Sequence, residues 1–163
     1  MAFYRALGTG MVISADSPID DKVRSAMESL IEDYEHVLSR FRNDSLIAAI
    51  GKAEHGGSFD FPDWCAPLFD LYDALFSATS GAIDPCVGED LIRLGYDASL
   101  SFTVTQDAPE HLGALRGRAV WGRDATRHGT TLVTHEPVQL DFGAAAKAIS
   151  SICSGACCSR HNS

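Results

Sequence analysis

The sequence predicts a single domain of the α+β class, in which an antiparallel sheet carries helices packed on one face. The chain has 163 residues, a length typical of one hydrophobic core. Apolar residues make up 45% of it and charged residues 21%, as in ordinary globular proteins. Helical patterns dominate the first half and hairpin patterns the second, an order that favours separate layers over a doubly wound parallel sheet.

The longest predicted helix begins near Ser17, which can cap it, with Pro18 at the first helical position and Asp20 completing an approximate capping box. Apolar residues then recur at three- and four-residue intervals and mark one stripe. They are Val23, Met27, Leu30, Ile31, Tyr34, Val37, Leu38 and Phe41. This stripe must pack on another layer, most simply a sheet.

Two shorter helices follow. Residues 43–45 offer caps for a helix over residues 46–50, which Gly51 ends. Pro62 and Asp63 open a third helix, whose apolar residues keep helical spacing until residues 79–81. The chain between these two helices is polar and predicts a loop.

Strand patterns lie at both ends of the chain. Residues 2–15 predict one strand or a hairpin interrupted near Gly8. Residues 119–121 and 130–134 flank the turn-rich segment GRDATRHG and predict an antiparallel hairpin. Shorter runs, 102–105 and 138–140, also predict strands.

The charge balance excludes several classes of partner. The chain carries 22 acidic and 13 basic residues, a net charge of −9, which repels polyanions and anionic membranes and argues against nucleic-acid binding. No run approaches the ~20 apolar residues that a membrane span needs. The N-terminus lacks the features of a secretory signal, so we expect a cytoplasmic location for the sequence as written.

The segment LDFGAAAK, residues 140–147, is the strongest candidate for ligand contact. A strand that turns through Gly143 into a helix presents unpaired amides where the helix dipole favours an anion. Lys147, one turn further, could place its ammonium against a diphosphate. The same residues also describe an ordinary packed junction, so both interpretations stay open.

The loop over residues 81–88 holds small residues around one carboxylate, Asp84. Loops of this kind let a ligand approach the backbone closely. An aspartate before proline is also typical of a turn, in which its side chain binds nearby amides. No pair among the six histidines has metal-ligand spacing, and the five cysteines, an odd number without a signal peptide, predict thiols.

Four segments occur in an order that resembles the motifs of the ApbE family, the FAD:protein FMN transferases. They are Leu7-Gly8-Thr9, SRFRNDS at 39–45, TSGAIDPCVG at 79–88 and LDFGAAAK at 140–147. The resemblance covers residues 7 to about 148 and implies an ApbE-like, T-fold-related architecture. It also implies that residues 1–148 are the N-terminal part of such a domain and that residues 149–163 form a divergent, disordered, cysteine-rich tail.

The resemblance further implies a magnesium-dependent reaction. FAD is split at its diphosphate, FMN is attached to a Thr or Ser of an acceptor protein through a phosphoester, and AMP is released. Ala82 and Asp84 are implied to lie against the flavin nucleotide. Gly143, Ala144 and Lys147 are implied to meet the diphosphate, with the Ala144 carbonyl as a metal ligand. No single catalytic residue is implied.

An alternative is a truncated FAD-binding module without turnover, because the family's second half supplies an Asp and a Thr that complete its metal site. Strands that lack their partners expose unpaired amides and favour a homodimer. Family members are often periplasmic lipoproteins, which keeps the location open. Release of AMP from FAD, with Mg²⁺ and a threonine-containing acceptor, distinguishes a transferase from a binding module.

Lys147→Ala should weaken FAD binding under either interpretation, because the ammonium is the cation expected at the diphosphate. The quench of flavin fluorescence on titration measures the affinity. An unchanged affinity would remove this lysine from the site.

Overall fold

A computed structural model describes residues 2–6, 9–14 and 18–145 of the chain. Lys147 and the tail predicted for residues 149–163 therefore lie outside the described residues. The described ranges contain the helices α1 (Asp21–Leu38), α2 (Leu46–Ile50), α3 (Ala66–Ala78), α4 (Gly88–Arg93) and α5 (Ala108–His111), and residues 143–145 are also helical. Short 3₁₀ turns occupy Asp63–Cys65, Pro85–Val87 and Ala114–Arg116. None of these helices combines the length and the apolar character needed to cross a membrane.

The strands form two antiparallel sheets. A hairpin pairs β1 (Ala2–Ala6) with β2 (Thr9–Val12). The second sheet has the order β3-β5-β4, with β3 at Gly57–Asp60, β4 at Ala125–His128 and β5 at Thr131–Thr134. In it Thr134 lies opposite both Gly57 and Ala125. The predicted α+β class with an antiparallel sheet is confirmed.

The core is aromatic and is organised around Phe69 of α3. The Phe69 ring lies 5.1 Å from Phe61, 5.9 Å from Trp121 and 5.5 Å from Phe142, measured between centroids. Phe142 is fully buried and also contacts Tyr72 at 5.3 Å. Phe142 therefore anchors the described part of the LDFGAAAK segment, residues 140–145, in the core.

The helix ends follow local hydrogen bonding. Asp20, not Ser17, caps α1, because its carboxylate accepts a hydrogen bond from the Val23 amide at 2.7 Å. The helix thus begins later than predicted, and Ser17 lies outside the described residues. Ser45 caps α2 as predicted, accepting from the Ala48 amide at 3.1 Å, and Gly51 follows its last residue.

The second hairpin lies further along the chain than predicted. β4 forms inside the segment expected to be the turn, while Trp121 makes only an isolated bridge with Ala125. The reason is a side-chain contact: the Asp124 carboxylate accepts a hydrogen bond from the Val120 amide at 2.7 Å and closes a tight turn. The hairpin turn itself falls at Gly129, which has a φ of 65°.

Two predicted strands are wrong, and one strand was missed. Residues 102–105 and 138–140 are not strands. Phe102 has a φ of 49° and its amide donates to the Gly95 carbonyl, which folds that segment into a loop. Near the other segment, backbone hydrogen bonds run to the 85–88 turn instead of to a strand, as in Gly88 N–H to the Gln139 carbonyl. The missed strand is β3, which lies in the polar segment before Pro62 that was predicted to be a loop.

Gly56→Ala should destabilise the protein more than Gly129→Ala, although φ is positive at both positions, at 67° and 65°. The left-handed conformation costs alanine roughly 1–2 kcal/mol at either site. At Gly56 a Cβ would also lie 2.2 Å from the Thr134 carbonyl oxygen, whereas at Gly129 nothing lies within 4 Å. Relieving that clash should add about 1–3 kcal/mol. Urea unfolding measures both losses, and equal losses would contradict the packing of Gly56 against β5.

Candidate ligand-binding site

One cavity of about 590 Å³ opens between the end of α1, the 82–91 region and the 141–144 bend. This volume falls within the range of pockets that hold small-molecule ligands. Its lining comes from well-separated parts of the sequence. The lining residues are Tyr34, Glu35, Leu38, Ser39, Arg40, Phe41, Tyr72, Ala82, Ile83, Asp84, Val87, Leu91, Tyr96, Asp141, Gly143 and Ala144.

The structure brings four of the five predicted site residues to this cavity. Ala82 and Asp84 line one wall, and Gly143 and Ala144 line another. The fifth, Lys147, lies outside the described residues. Residues 39–41, which belong to another motif, also line the cavity. What each residue does toward a ligand stays a prediction.

Asp84 is used within the protein. Its Oδ1 accepts hydrogen bonds from the Cys86 amide at 2.8 Å and the Trp121 amide at 3.3 Å. Its Oδ2 lies 3.2 Å from Nη1 of Arg118, and the side chain is only 2% exposed. Asp84 therefore binds backbone amides as a turn-forming aspartate does. These contacts hold in place the part of the cavity wall that contains Ala82 and Asp84.

Arg118 lies behind that wall, between two carboxylates. Its Nε is 3.0 Å from Oδ2 of Asp90, and Oδ1 of the same carboxylate accepts a hydrogen bond from the Gly113 amide at 3.0 Å. The Arg118 Nε and Nη1 contacts lie outside hydrogen-bond geometry, so the attraction is mainly between charges. Arg118 thereby joins the Asp84 loop to α4. No sequence pattern pointed to it.

Asp141 fixes the bend of the LDFGAAAK segment. Its amide donates to the Pro85 carbonyl at 2.7 Å, and its Oδ1 accepts from the Gly143 amide at 2.7 Å. Its Oδ2 accepts from Nε of Arg40 at 2.6 Å. A Cβ on Gly143 would lie 2.9 Å from Asp141 Oδ1, so glycine allows this close approach.

Arg40 is held on its edges and on its faces. Nη2 donates to the Tyr96 carbonyl at 2.5 Å. The guanidinium carbon lies 4.4 Å from the centroid of the Phe41 ring and 4.5 Å from that of Tyr96. Sequence reasoning did not single out Arg40, Tyr96 or Asp141. Arg40 and Asp141 could have been found from the sequence because they lie inside two of the quoted motifs. Tyr96 lies in no motif, so nothing in the sequence pointed to it.

Aromatic side chains form much of the cavity wall, namely those of Tyr34, Phe41, Tyr72 and Tyr96. Burial and, to a smaller extent, the charge of Asp141 raise the pKa of Tyr72 to about 12, although a hydrogen bond from the Ala145 backbone acts in the opposite direction. The Tyr72 phenol is therefore protonated at neutral pH. Burial likewise raises the pKa of the Cys86 thiol, which makes it a poor nucleophile.

The described residues do not by themselves fit a magnesium ion. Within them, no group of three or more His, Cys, Asp or Glu side chains could hold a metal. The Asp84 and Asp141 carboxylates each lie beside an arginine. The Ala144 carbonyl alone falls short of the near-octahedral oxygen set that Mg²⁺ requires.

These features define an α+β domain with an aromatic cavity that is lined in part by the 141–144 bend. The sequence profile of the ApbE family matches residues 7–152, and the chain belongs to that family. The expected family is thus confirmed. No curated protein sequence matches the chain significantly.

Solved structures share the fold at low sequence identity. The flavin transferase ApbE from Vibrio cholerae matches with a TM-score of 0.75 and 17% identity over 95% of this chain and 51% of its own. The ApbE protein from Thermotoga maritima matches with a TM-score of 0.68 and 18% identity over 96% and 51%, respectively. The flavinyl transferase ApbE from Pseudomonas stutzeri gives 0.64 and 18% over 90% and 50%. The chain therefore spans about half the length of these proteins.

Arg118→Met should destabilise the protein by about 3–5 kcal/mol, because it leaves Asp84 and Asp90 buried without their counter-charge. Their side chains are 2% and 13% exposed. Arg116→Met, two residues away at an exposed position, is the control and should change stability by less than ~0.5 kcal/mol. Urea unfolding measures both. A loss for Arg118→Met as small as the control's would show that this ion pair does not hold the wall.

Proposed function

We propose that this chain binds FAD in the cavity and serves the transfer of FMN from FAD to a Thr or Ser of an acceptor protein, with release of AMP. The observation that carries this proposal is the meeting of three separated motifs at one cavity. They contribute Arg40, Ala82 with Asp84, and Asp141 with Gly143. Membership of the ApbE family, and fold similarity to proteins named flavin transferases, support it.

The flavin ring and the diphosphate of FAD suit different parts of the cavity. Aromatic faces such as those of Phe41 and Tyr96 can stack on a planar ring system. The Ala82–Asp84 wall is the side assigned to the flavin nucleotide. The exposed backbone at Gly143 and Ala144 offers close approach to a diphosphate, because neither residue has a bulky side chain.

The proposed reaction transfers the phosphoryl group of the FMN half of FAD, together with the flavin attached to it. The acceptor hydroxyl oxygen attacks the phosphorus of the FMN half, the bond to the AMP half breaks, and the hydroxyl proton is released. Such transfers depend on positioning and charge neutralisation more than on covalent help from the protein. The net charge of −9 opposes binding of a diphosphate, which is why Lys147 is assigned to it.

Magnesium dependence belongs to the proposal on the ground of family membership. The Ala144 carbonyl is the oxygen assigned to the ion, which would neutralise charge on the phosphates when bound. Because the described residues do not complete a magnesium site, no step of the reaction is derived through the ion.

Ala82→Trp should abolish or strongly reduce FAD binding, because the indole would occupy the cavity beside the 82–84 wall. Ala114→Trp is a matched control, since Ala114 is exposed and does not line the cavity. We expect a loss of at least roughly tenfold in affinity for the first variant and little change for the second. Flavin fluorescence measures binding, and chromatography of AMP with a threonine-containing acceptor and Mg²⁺ measures turnover. Unaltered FAD binding by Ala82→Trp would place the ligand elsewhere.

A further inference from the structure

We propose that Arg40 and Asp141 form a positioning pair that allows an anionic ligand into the cavity. In this role Arg40 does not grip the ligand; it neutralises and orients the Asp141 carboxylate. The inference rests on the proposed function, because FAD is the anionic ligand considered.

The pair connects the walls of the cavity. Asp141 bonds to Arg40 through one carboxylate oxygen and to the Gly143 amide through the other, while its own amide bonds to the Pro85 carbonyl. Arg40 in turn donates to the Tyr96 carbonyl. The ion pair, between residues 101 apart in sequence, and the other hydrogen bonds of its two partners therefore link four parts of the chain around the cavity.

Arg40 is held too firmly to act as a mobile phosphate clamp. Aromatic rings lie near its guanidinium at 4.4 and 4.5 Å, and two of its nitrogens already donate to protein oxygens. The side chain is only 9% exposed. This geometry suits a fixed counter-charge better than a group that moves to meet a ligand.

The electrostatic need for the pair comes from Asp141. This carboxylate lines the cavity and is 14% exposed, beside the bend assigned to the diphosphate. A like charge so close to a poorly solvated site repels an anion strongly. Arg40 cancels that charge at 2.6 Å and leaves the bend able to approach a phosphate.

A purely structural role would predict something different. If the pair only held the walls together, its loss would weaken neutral and anionic flavins alike. If it also sets the charge of the cavity, the loss depends on the charge of the ligand. Riboflavin and FAD share the isoalloxazine ring, and FAD adds the anionic diphosphate and an adenosine. Loss of adenosine contacts would shift the ratio of their affinities in one direction only, so opposite shifts on removing the cation and on removing the anion of the pair separate the two roles.

The test measures the dissociation constants of FAD and riboflavin for the full chain by flavin fluorescence. Arg40→Gln leaves the Asp141 carboxylate without its counter-charge. It should therefore weaken binding of FAD by roughly tenfold more than binding of riboflavin. Asp141→Asn keeps the cap on Gly143 but leaves Arg40 unneutralised, and should shift the ratio in favour of FAD. The double variant, Arg40→Gln with Asp141→Asn, should return the ratio close to that of the wild type, and Arg40→Lys should preserve most of it.

Arg127→Gln is the matched control. Arg127 also pairs with carboxylates, those of Asp70 and Asp73, and lies 5.8 Å from the Phe69 ring, but it does not line the cavity. Its removal should leave the ratio unchanged. Thermal unfolding of each variant checks the fold, and because Asp141→Asn changes the charge without changing the shape, it tests the proposal even if Arg40→Gln unfolds.

The outcomes separate this inference from the proposed function. If the wild type binds neither flavin, the proposed function fails and the inference fails with it. If the wild type binds FAD but Arg40→Gln weakens both flavins equally, or Asp141→Asn leaves the ratio unchanged, the charge-setting role is overturned and the proposed function stands.

Discussion

The Asp141 carboxylate, held between the Arg40 guanidinium and the Gly143 amide, is the interaction on which the cavity depends. Phe142, its neighbour, is fixed in the aromatic core, so the chain enters the bend from a rigid position. Asp141 then determines how the chain leaves the bend, because its two oxygens face in different directions. Packing of Phe142 and the hydrogen bonds of Asp141 together give the cavity one defined wall.

The adjoining wall, formed by the Asp84 loop, has a similar arrangement of a carboxylate and an arginine. Asp84 caps the turn at Pro85–Val87 and lies against Arg118, and the Pro85 carbonyl accepts from the Asp141 amide. Each wall thus has one carboxylate that bonds to the amides of its own turn and pairs with a distant arginine. Buried carboxylates of this kind need such partners, because an uncompensated charge away from water is costly.

Local signals in the sequence were sufficient where the structure is local. The cap at Ser45 and the apolar stripe of α1 depend on residues within a few positions of each other, and both could be predicted. The second hairpin could not, because the Asp124 carboxylate closes a turn that resembles a strand in its sequence pattern. Site residues such as Asp84 and Gly143 could be predicted because they lie inside recognisable motifs. Arg118 and Tyr96 were not, because their contacts join positions far apart in sequence that no periodicity reveals.

The charges along the described lining indicate that the flavin ring and the diphosphate of the proposed ligand would depend on different groups of the protein. Among the lining residues that the structure describes, Arg40 is the one cation, and Asp141 cancels it. Arg118 likewise offsets Asp84 from behind the wall, and Nη1 of Arg42, outside the lining, lies 3.8 Å from the third lining carboxylate, Glu35. The described lining therefore has no surplus positive charge to attract a diphosphate, whereas its aromatic faces are suited to a flavin ring. If FAD is the ligand, as proposed, attraction for its phosphates has to come from groups beyond this lining, and Lys147 is the first cation along the chain after the bend. Under the proposed function, the aromatic wall is the part assigned to the flavin ring, the arginine partners neutralise the carboxylates of the lining, and Lys147 is assigned the positive charge at the diphosphate.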